Sequence, residues 1–191
     1  MGRLIFITGG ARSGKSKFAE DLTLDLALQR DPNLNKGCVT YLATCVPSDR
    51  EMRERVKMHK DRRPSYWETV EEPREVARTI REKGYGTEVL LVDCLGLYVT
   101  NLLLEDEEET PSQEKCNLIL SSVREVAEAA HNVPSDVVVV SNEVGMGLVP
   151  EYVLGRVFRD VLGWANQILA DASDEVYFMV SGLPLRVKPQ R

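Results

Sequence analysis

Basic excess, clustered cysteines and long apolar runs are all missing from this sequence, and each gap removes a class of function. Lysine plus arginine number 24 against 30 aspartates plus glutamates, a net charge of −6. A polyanion-coating protein carries the opposite balance, so a nucleic-acid partner is not expected, although a small basic pocket within an acidic surface remains compatible. The four cysteines, Cys38, Cys45, Cys94 and Cys116, share no Cys-x-x-Cys spacing. Neither a thiolate metal cluster nor a disulfide framework is therefore expected, and reduced thiols are. No stretch approaches the roughly 18 consecutive apolar residues of a membrane span. The run Leu4 to Ile7 is too short for a secretory core segment and passes straight into glycines, so the expected location is the cytoplasm. There is no internal repeat.

What is present suits one compact domain over residues 1–191: 43% hydrophobic and 28% charged residues, enough chain to bury a core unaided. Apolar runs of strand length recur at Leu4–Thr8, Val39–Ala43, Val89–Asp93, Val137–Val140 and Val176–Val180. They are nearly continuous rather than alternating, as in parallel strands covered on both faces. Helical periodicity fills the gaps at Lys15–Gln29, Asp49–Lys60, Pro73–Lys83, Gln113–Ala130 and Glu151–Ala172. Alternating strand and helix predict an α/β fold with a mostly parallel sheet flanked by helices. The acidic run Glu105–Glu109 reads as a solvated loop that Pro111 and Ser112 end, with Ser112 offering a cap. Asp31–Gly37 reads as a second surface loop.

The first strand enters Gly9-Gly10-Ala11-Arg12-Ser13-Gly14-Lys15-Ser16, and a helix follows. Glycines let the backbone turn its N–H groups inward around phosphate oxygens. Lys15 adds a point charge, Ser16 offers a hydroxyl to Mg²⁺, and the helix directs its positive end at the anion. Asp93, at the end of the third apolar run, is the carboxylate expected to join Ser16 at the Mg²⁺. The expected ligand is therefore a nucleotide with Mg²⁺.

Only two histidines occur. His131 closes a helical segment and reads as a dipole-stabilised terminal residue. His59 is different: Arg55, Lys57, Lys60, Arg62 and Arg63 surround it within nine positions. A neutral imidazole is a competent nucleophile, and those cations could hold a triphosphate and lower its pKa. A solvated helix face fits these residues equally well.

Further segments extend the pattern: Tyr41-Leu42-Ala43-Thr44, Arg55-x-x-x-His59-Lys60-x-x-Arg63-Pro64-x-x-Trp67 and Val99-Thr100-Asn101-Leu102-Leu103. To these add Ser141-Asn142-Glu143-Val144-Gly145-Met146-Gly147-Leu148-Val149-Pro150, and Phe158-Arg159-Asp160 with Asn166-Gln167. With the phosphate loop, they are spread from Gly9 to Gln167, and the likeness they carry extends over nearly the whole chain. The sequence resembles the bifunctional adenosylcobinamide kinase and adenosylcobinamide-phosphate guanylyltransferase family of cobalamin assembly.

The resemblance implies a RecA-like P-loop sheet, a trimer with active sites near subunit interfaces, and two reactions. ATP or GTP phosphorylates adenosylcobinamide. GTP then guanylylates a histidine, matched here by His59, and adenosylcobinamide phosphate takes the GMP to give adenosylcobinamide-GDP. It further implies nucleotide contacts from Ala43, Thr44 and Cys45, from Lys60, Asp61, Arg62 and Arg63, and from Glu71 and Asp93. Departures are peripheral: the Asp31–Gly37 loop, the acidic run, and Cys45 where another small residue is common. Tyr66 and Trp67 read as packing residues. A single-activity P-loop kinase, with His59 merely structural, and a non-enzymatic nucleotide switch are the alternatives; the first would form no covalent nucleotide adduct, and the second leaves the cationic histidine cluster without a role.

Overall fold

The computed structural model describes residues 1–47, 53, 54, 57, 60, 63–106 and 111–188. Seven strands form one sheet: β1 Leu4–Gly9, β2 Val39–Ala43, β3 Glu68–Glu71, β4 Val89–Asp93, β5 Asp136–Val140, β6 Glu175–Val180 and β7 Leu183–Lys188. Their order is β3-β2-β4-β5-β1-β6-β7. Every pairing is parallel except β6 with β7. The helices are α1 Lys15–Arg30, α2 Val76–Lys83, α3 Leu95–Leu103, α4 Gln113–His131 and α5 Val153–Ala172.

The continuous apolar runs are explained by the two cores. Side chains alternate across a strand, so Leu4, Phe6, Leu42, Leu90, Val92 and Val139 face one layer, with α2, α3, α4 and α5 packed on it. Ile5, Ile7, Tyr41, Leu91, Val138 and Val140 face the other, where α1 covers them with Ala19, Leu26 and Ala27. Each central strand is thus buried on both faces.

Three elements depart from the sequence reading. β3 is an edge strand with a polar, largely exposed face, Glu68, Thr69 and Glu71, so no apolar run betrays it. Its presence makes Asp93 the end of β4, not of a third strand. α3 is apolar on most sides because helices and sheet enclose it, which erases the helical stripe. β7 returns antiparallel on the sheet edge with Leu183, Leu185 and Val187 exposed.

Helix α2 begins at Val76, later than Pro73, because the Glu72 carboxylate accepts the backbone N–H groups of Arg74 and Glu75, both at 2.9 Å. α5 starts at Val153, with Tyr152 at its cap. Of the Asp49–Lys60 segment, Arg53, Glu54, Lys57 and Lys60 are described, and all four are helical and exposed.

Other expectations hold. Ser112 caps α4, its hydroxyl accepting from the Lys115 amide at 3.1 Å. Glu105 and Asp106 pair with Arg74 and Lys115, while 107–110 lie outside the described residues. His131 ends α4, with its ring nitrogen 2.9 Å from the Ala172 carbonyl. None of the four cysteines is joined in a disulfide. No described helix is long and apolar enough to cross a membrane.

Candidate active site

Parallel strands deliver their C-terminal ends to one edge of the sheet, and register decides what meets there. Glu71 pairs with Ala43, Ala43 with Asp93, Asp93 with Val140, and Val140 with Ile7. One rung therefore carries three of the expected site residues, Glu71, Ala43 and Asp93, and meets β1 two residues before Gly9. β5 lies between β4 and β1, so Asp93 stands two strand spacings, about 10 Å, from the phosphate-loop strand.

Gly9 to Ser16 wrap from β1 into α1. Gly14 adopts φ +93°, where a side chain is strained, and a Cβ there would also press on Gly182 Cα at 3.1 Å. At Gly9 a Cβ would fall 2.7 Å from the Met179 carbonyl oxygen. The turn between β6 and β7 leans on the loop, where the Gly182 N–H donates to the Ser13 carbonyl at 2.9 Å. From the other side, the Glu143 N–H donates to the Gly9 carbonyl at 2.9 Å. The Asn142–Gly147 block thus abuts the phosphate loop. Asn166 steadies it by accepting from the Ser141 hydroxyl at 2.6 Å and donating to the Asn142 carbonyl at 3.0 Å.

The loop is chemically prepared for an anion. Lys15 is buried, and its ammonium donates to the Gly10 carbonyl at 2.7 Å. Burial lowers its pKa, opposed by nearby Cys94 and Asp93. The Cys94 thiol itself is pushed up to about 12, chiefly by burial, so Asp93 is the neighbouring anion. The Ser13 hydroxyl is buried without a partner among the described residues, a donor whose burial is costly unless a ligand oxygen takes it. α1 has no acid in its first turn to compete with such a ligand.

At the β2 end, Thr44 is locked in place. Its hydroxyl donates to the Cys94 carbonyl and accepts from the Cys94 amide, both at 2.8 Å. Asn101 donates to the Thr44 carbonyl at 2.8 Å and to the Pro73 carbonyl at 3.0 Å. Ala43 and Cys45 flank it, half-buried.

Residues of the cationic segment converge on the same edge. Lys60 forms an ion pair with Glu71. The Arg63 guanidinium carbon lies 3.2 Å from the centre of the Tyr41 ring, and Nη1 donates to the Thr69 hydroxyl at 3.3 Å. The Tyr41 hydroxyl donates to Asp93 Oδ2 at 2.8 Å. Burial first, then the charge of Asp93, raise the Tyr41 pKa far above the usual phenol range, so it stays a neutral donor. Trp67 is buried and stacks on Tyr41, with centroids 6.5 Å apart, as a packing residue should. His59, Asp61 and Arg62 lie outside the described residues.

Sequence reasoning left Tyr41 and Asn101 without roles, and overlooked the Ser181–Gly182 turn. A phenol inside a buried strand signals a polar partner, since a buried hydroxyl needs one; which partner depends on cross-strand register. The Ser-Gly dipeptide after an apolar run was the available sign of the turn.

Comparison with known proteins concerns the chain as a whole. Residues 5–187 match the family described as cobinamide kinase / cobinamide phosphate guanyltransferase. The chain is 40% identical over 182 residues to the bifunctional adenosylcobalamin biosynthesis protein CobP of Pseudomonas aeruginosa, covering 95% of each. It is 39% identical over 190 residues to the bifunctional adenosylcobalamin biosynthesis protein CobU of Escherichia coli K12, covering 97% of this chain and 99% of that one. Among solved structures, an ATPase domain superposes with a TM-score of 0.52 at 13% identity, over 92% of this chain and 68% of that one. The fold is that of RecA-like P-loop enzymes.

Proposed function

The chain belongs to the cobinamide kinase / cobinamide phosphate guanyltransferase family, and from that premise we propose how its residues divide the two reactions. The enzyme is a bifunctional transferase of adenosylcobalamin biosynthesis that binds nucleotide through its P-loop.

In the kinase step, Gly9, Gly10, Ala11, Arg12, Ser13, Gly14, Lys15 and Ser16 hold the phosphates of ATP or GTP. The hydroxyl of adenosylcobinamide attacks the γ-phosphorus, the bond to the nucleoside diphosphate breaks, and the hydroxyl proton leaves. Lys15 offsets the charge that builds on the transferring group. When bound, Mg²⁺ would neutralise charge between the phosphates, and Ser16 and Asp93 would hold it. No group of three or more His, Cys, Asp or Glu gathers among the described residues. Two protein oxygens suit an ion that takes its other ligands from phosphate and water.

In the guanylyl step, His59 attacks the α-phosphorus of GTP, pyrophosphate departs, and GMP is held by a P–N bond. An oxygen of adenosylcobinamide phosphate then displaces His59 to give adenosylcobinamide-GDP. Lys60, Asp61, Arg62 and Arg63 flank the nucleophile; the cations offset phosphate charge, and Glu71 aims Lys60. Ala43, Thr44, Cys45, Glu71 and Asp93 contact nucleotide at the strand ends. The observation that carries this division is the rung Glu71–Ala43–Asp93, one end held to Lys60 and the other near the phosphate loop.

The test is a His59→Ala enzyme incubated with GTP labelled at the α-phosphate. Acid-labile label should vanish while ATP-dependent phosphorylation survives in part; a labelled variant would refute the assignment. Because the imidazole must be neutral to attack, labelling of the wild type should weaken as pH falls through the imidazole pKa. We place the enzyme in the cytoplasm as a homotrimer of one-domain subunits. The exposed Leu183, Leu185 and Val187 of β7 are an apolar edge of the kind that assembly covers, and sedimentation would count the subunits.

A further inference from the structure

We propose that Tyr41 is a positioning residue for both half-reactions, its hydroxyl fixing Asp93 and its ring fixing Arg63; this rests on the roles given to those two residues above. Tyr41 sits two residues before Ala43, on the same face of β2, and pairs with Leu91 while Ala43 pairs with Asp93. Its ring therefore spans the diagonal to the next rung, a reach open to an aromatic side chain but not to a short one. The hydroxyl donates to one oxygen of Asp93 at 2.8 Å. A carboxylate with one oxygen committed cannot rotate freely, so the aim of the second oxygen is set as well.

The same ring carries the Arg63 guanidinium, 3.2 Å from its centre. Arg63 gains only one further contact of note, Nη1 to the Thr69 hydroxyl, and its buried Nε has no partner among the described residues. An arginine so held keeps donors available for an anion while the ring fixes its place. Trp67 backs the arrangement. A single buried side chain, 3% exposed, thus connects the carboxylate of the phosphate-loop edge to the cation that follows His59 in sequence.

Tyr41→Phe keeps the ring and removes the hydroxyl; Tyr41→Leu removes both. Tyr41→Phe should reduce about tenfold the gain in affinity that Mg²⁺ gives a fluorescent ADP analogue, the effect of losing one hydrogen bond to a charged group. The kcat of phosphorylation should fall by a similar factor, with the KM for cobinamide unchanged. In an Asp93→Asn background, Tyr41→Phe should add less than about twofold, since the two act as one unit. Tyr41→Leu should additionally slow covalent labelling by GTP.

An unchanged Mg²⁺ effect in Tyr41→Phe, or full additivity with Asp93→Asn, would overturn the hydroxyl's role. Labelling by Tyr41→Leu at the rate of Tyr41→Phe would overturn the ring's. A wild-type protein that neither phosphorylates cobinamide nor takes up GMP would instead refute the functional reading, and the nucleotide-binding measurement would still judge Tyr41.

Discussion

The two ends of the sheet both concentrate charge, yet they treat it in opposite ways. At the N-terminal ends of the strands, Asp136 is wholly buried and accepts from the Arg3 amide at 2.8 Å and from the guanidinium groups of Arg3 and Arg30 at 2.8–3.5 Å. Glu175 beside it accepts from Arg3, Tyr177 and Arg186. Asp174 takes the Leu4 amide at 2.8 Å. Apart from the Ser135 hydroxyl, the polar groups there answer one another. At the C-terminal ends, Lys15 folds onto its own loop carbonyl, and Ser13 Oγ and Arg63 Nε are buried without partners among the described residues. Saturated charge holds elements together, whereas a buried donor left over at the phosphate-loop edge is open to a ligand.

This contrast can be broken by moving one charge at a time. The largest effect should follow Lys15→Met: phosphorylation falls about 10²–10³-fold, the scale for losing a preorganised group that meets transition-state charge. Resistance to urea should not fall, because a desolvated ammonium has been removed. Initial rates and a denaturation curve on one preparation would decide it; a stability loss with activity kept would erase the distinction between the ends.

Asp136→Asn should do the reverse. Stability drops by about 2–3 kcal/mol as charge-assisted bonds to Arg3 and Arg30 weaken, while kcat and KM stay near wild type. pH sharpens the point. Burial alone would raise the Asp136 pKa, but hydrogen bonds from Arg3 and the charges of Arg3 and Arg30 outweigh it and hold the group below its ordinary value. A depressed carboxylate contributes its full stability above the unfolded pKa of about 3.9 and loses it as pH falls through the lower folded value. The acid limb of the wild-type stability curve should therefore be steeper than that of Asp136→Asn, as thermal melts at pH 2–6 (about this range) would read.

The smallest effect tests the loop's shape rather than its charge. Gly14→Ala forces a side chain into φ +93° against Gly182, costing about 1–2 kcal/mol. Nucleotide affinity should suffer with it. Equal affinity with lost stability would mean that the loop's conformation serves packing alone.

How much of this could be read from sequence follows from where the information sits. The five inner strands are legible because burial on both faces demands unbroken apolar runs. The phosphate loop is legible because its chemistry requires fixed residue types at fixed local spacing. β3 and β7 were not legible, since edge strands may be polar or exposed, and α3 was not, since enclosure on most sides removes its stripe. The Tyr41–Asp93 bond and the stacking of Arg63 depend on register between strands far apart in sequence, which no local pattern encodes. His59 was singled out by its five cationic neighbours and by resemblance; its place lies outside the described residues.

The β6–β7 turn that supports the phosphate loop has a consequence for how the protein is made. β1 pairs with β5 and β6, and Gly182 donates to Ser13, so the loop's supports are encoded near the opposite end of the chain. A ribosome exposes residues 9–16 before any of these braces. Until residues 181–182 emerge the loop residues exist without the turn that steadies them, and contacts this distant in sequence form slowly. A growing chain cut short before β7 would carry the nucleotide motif intact in its letters and unsupported in space.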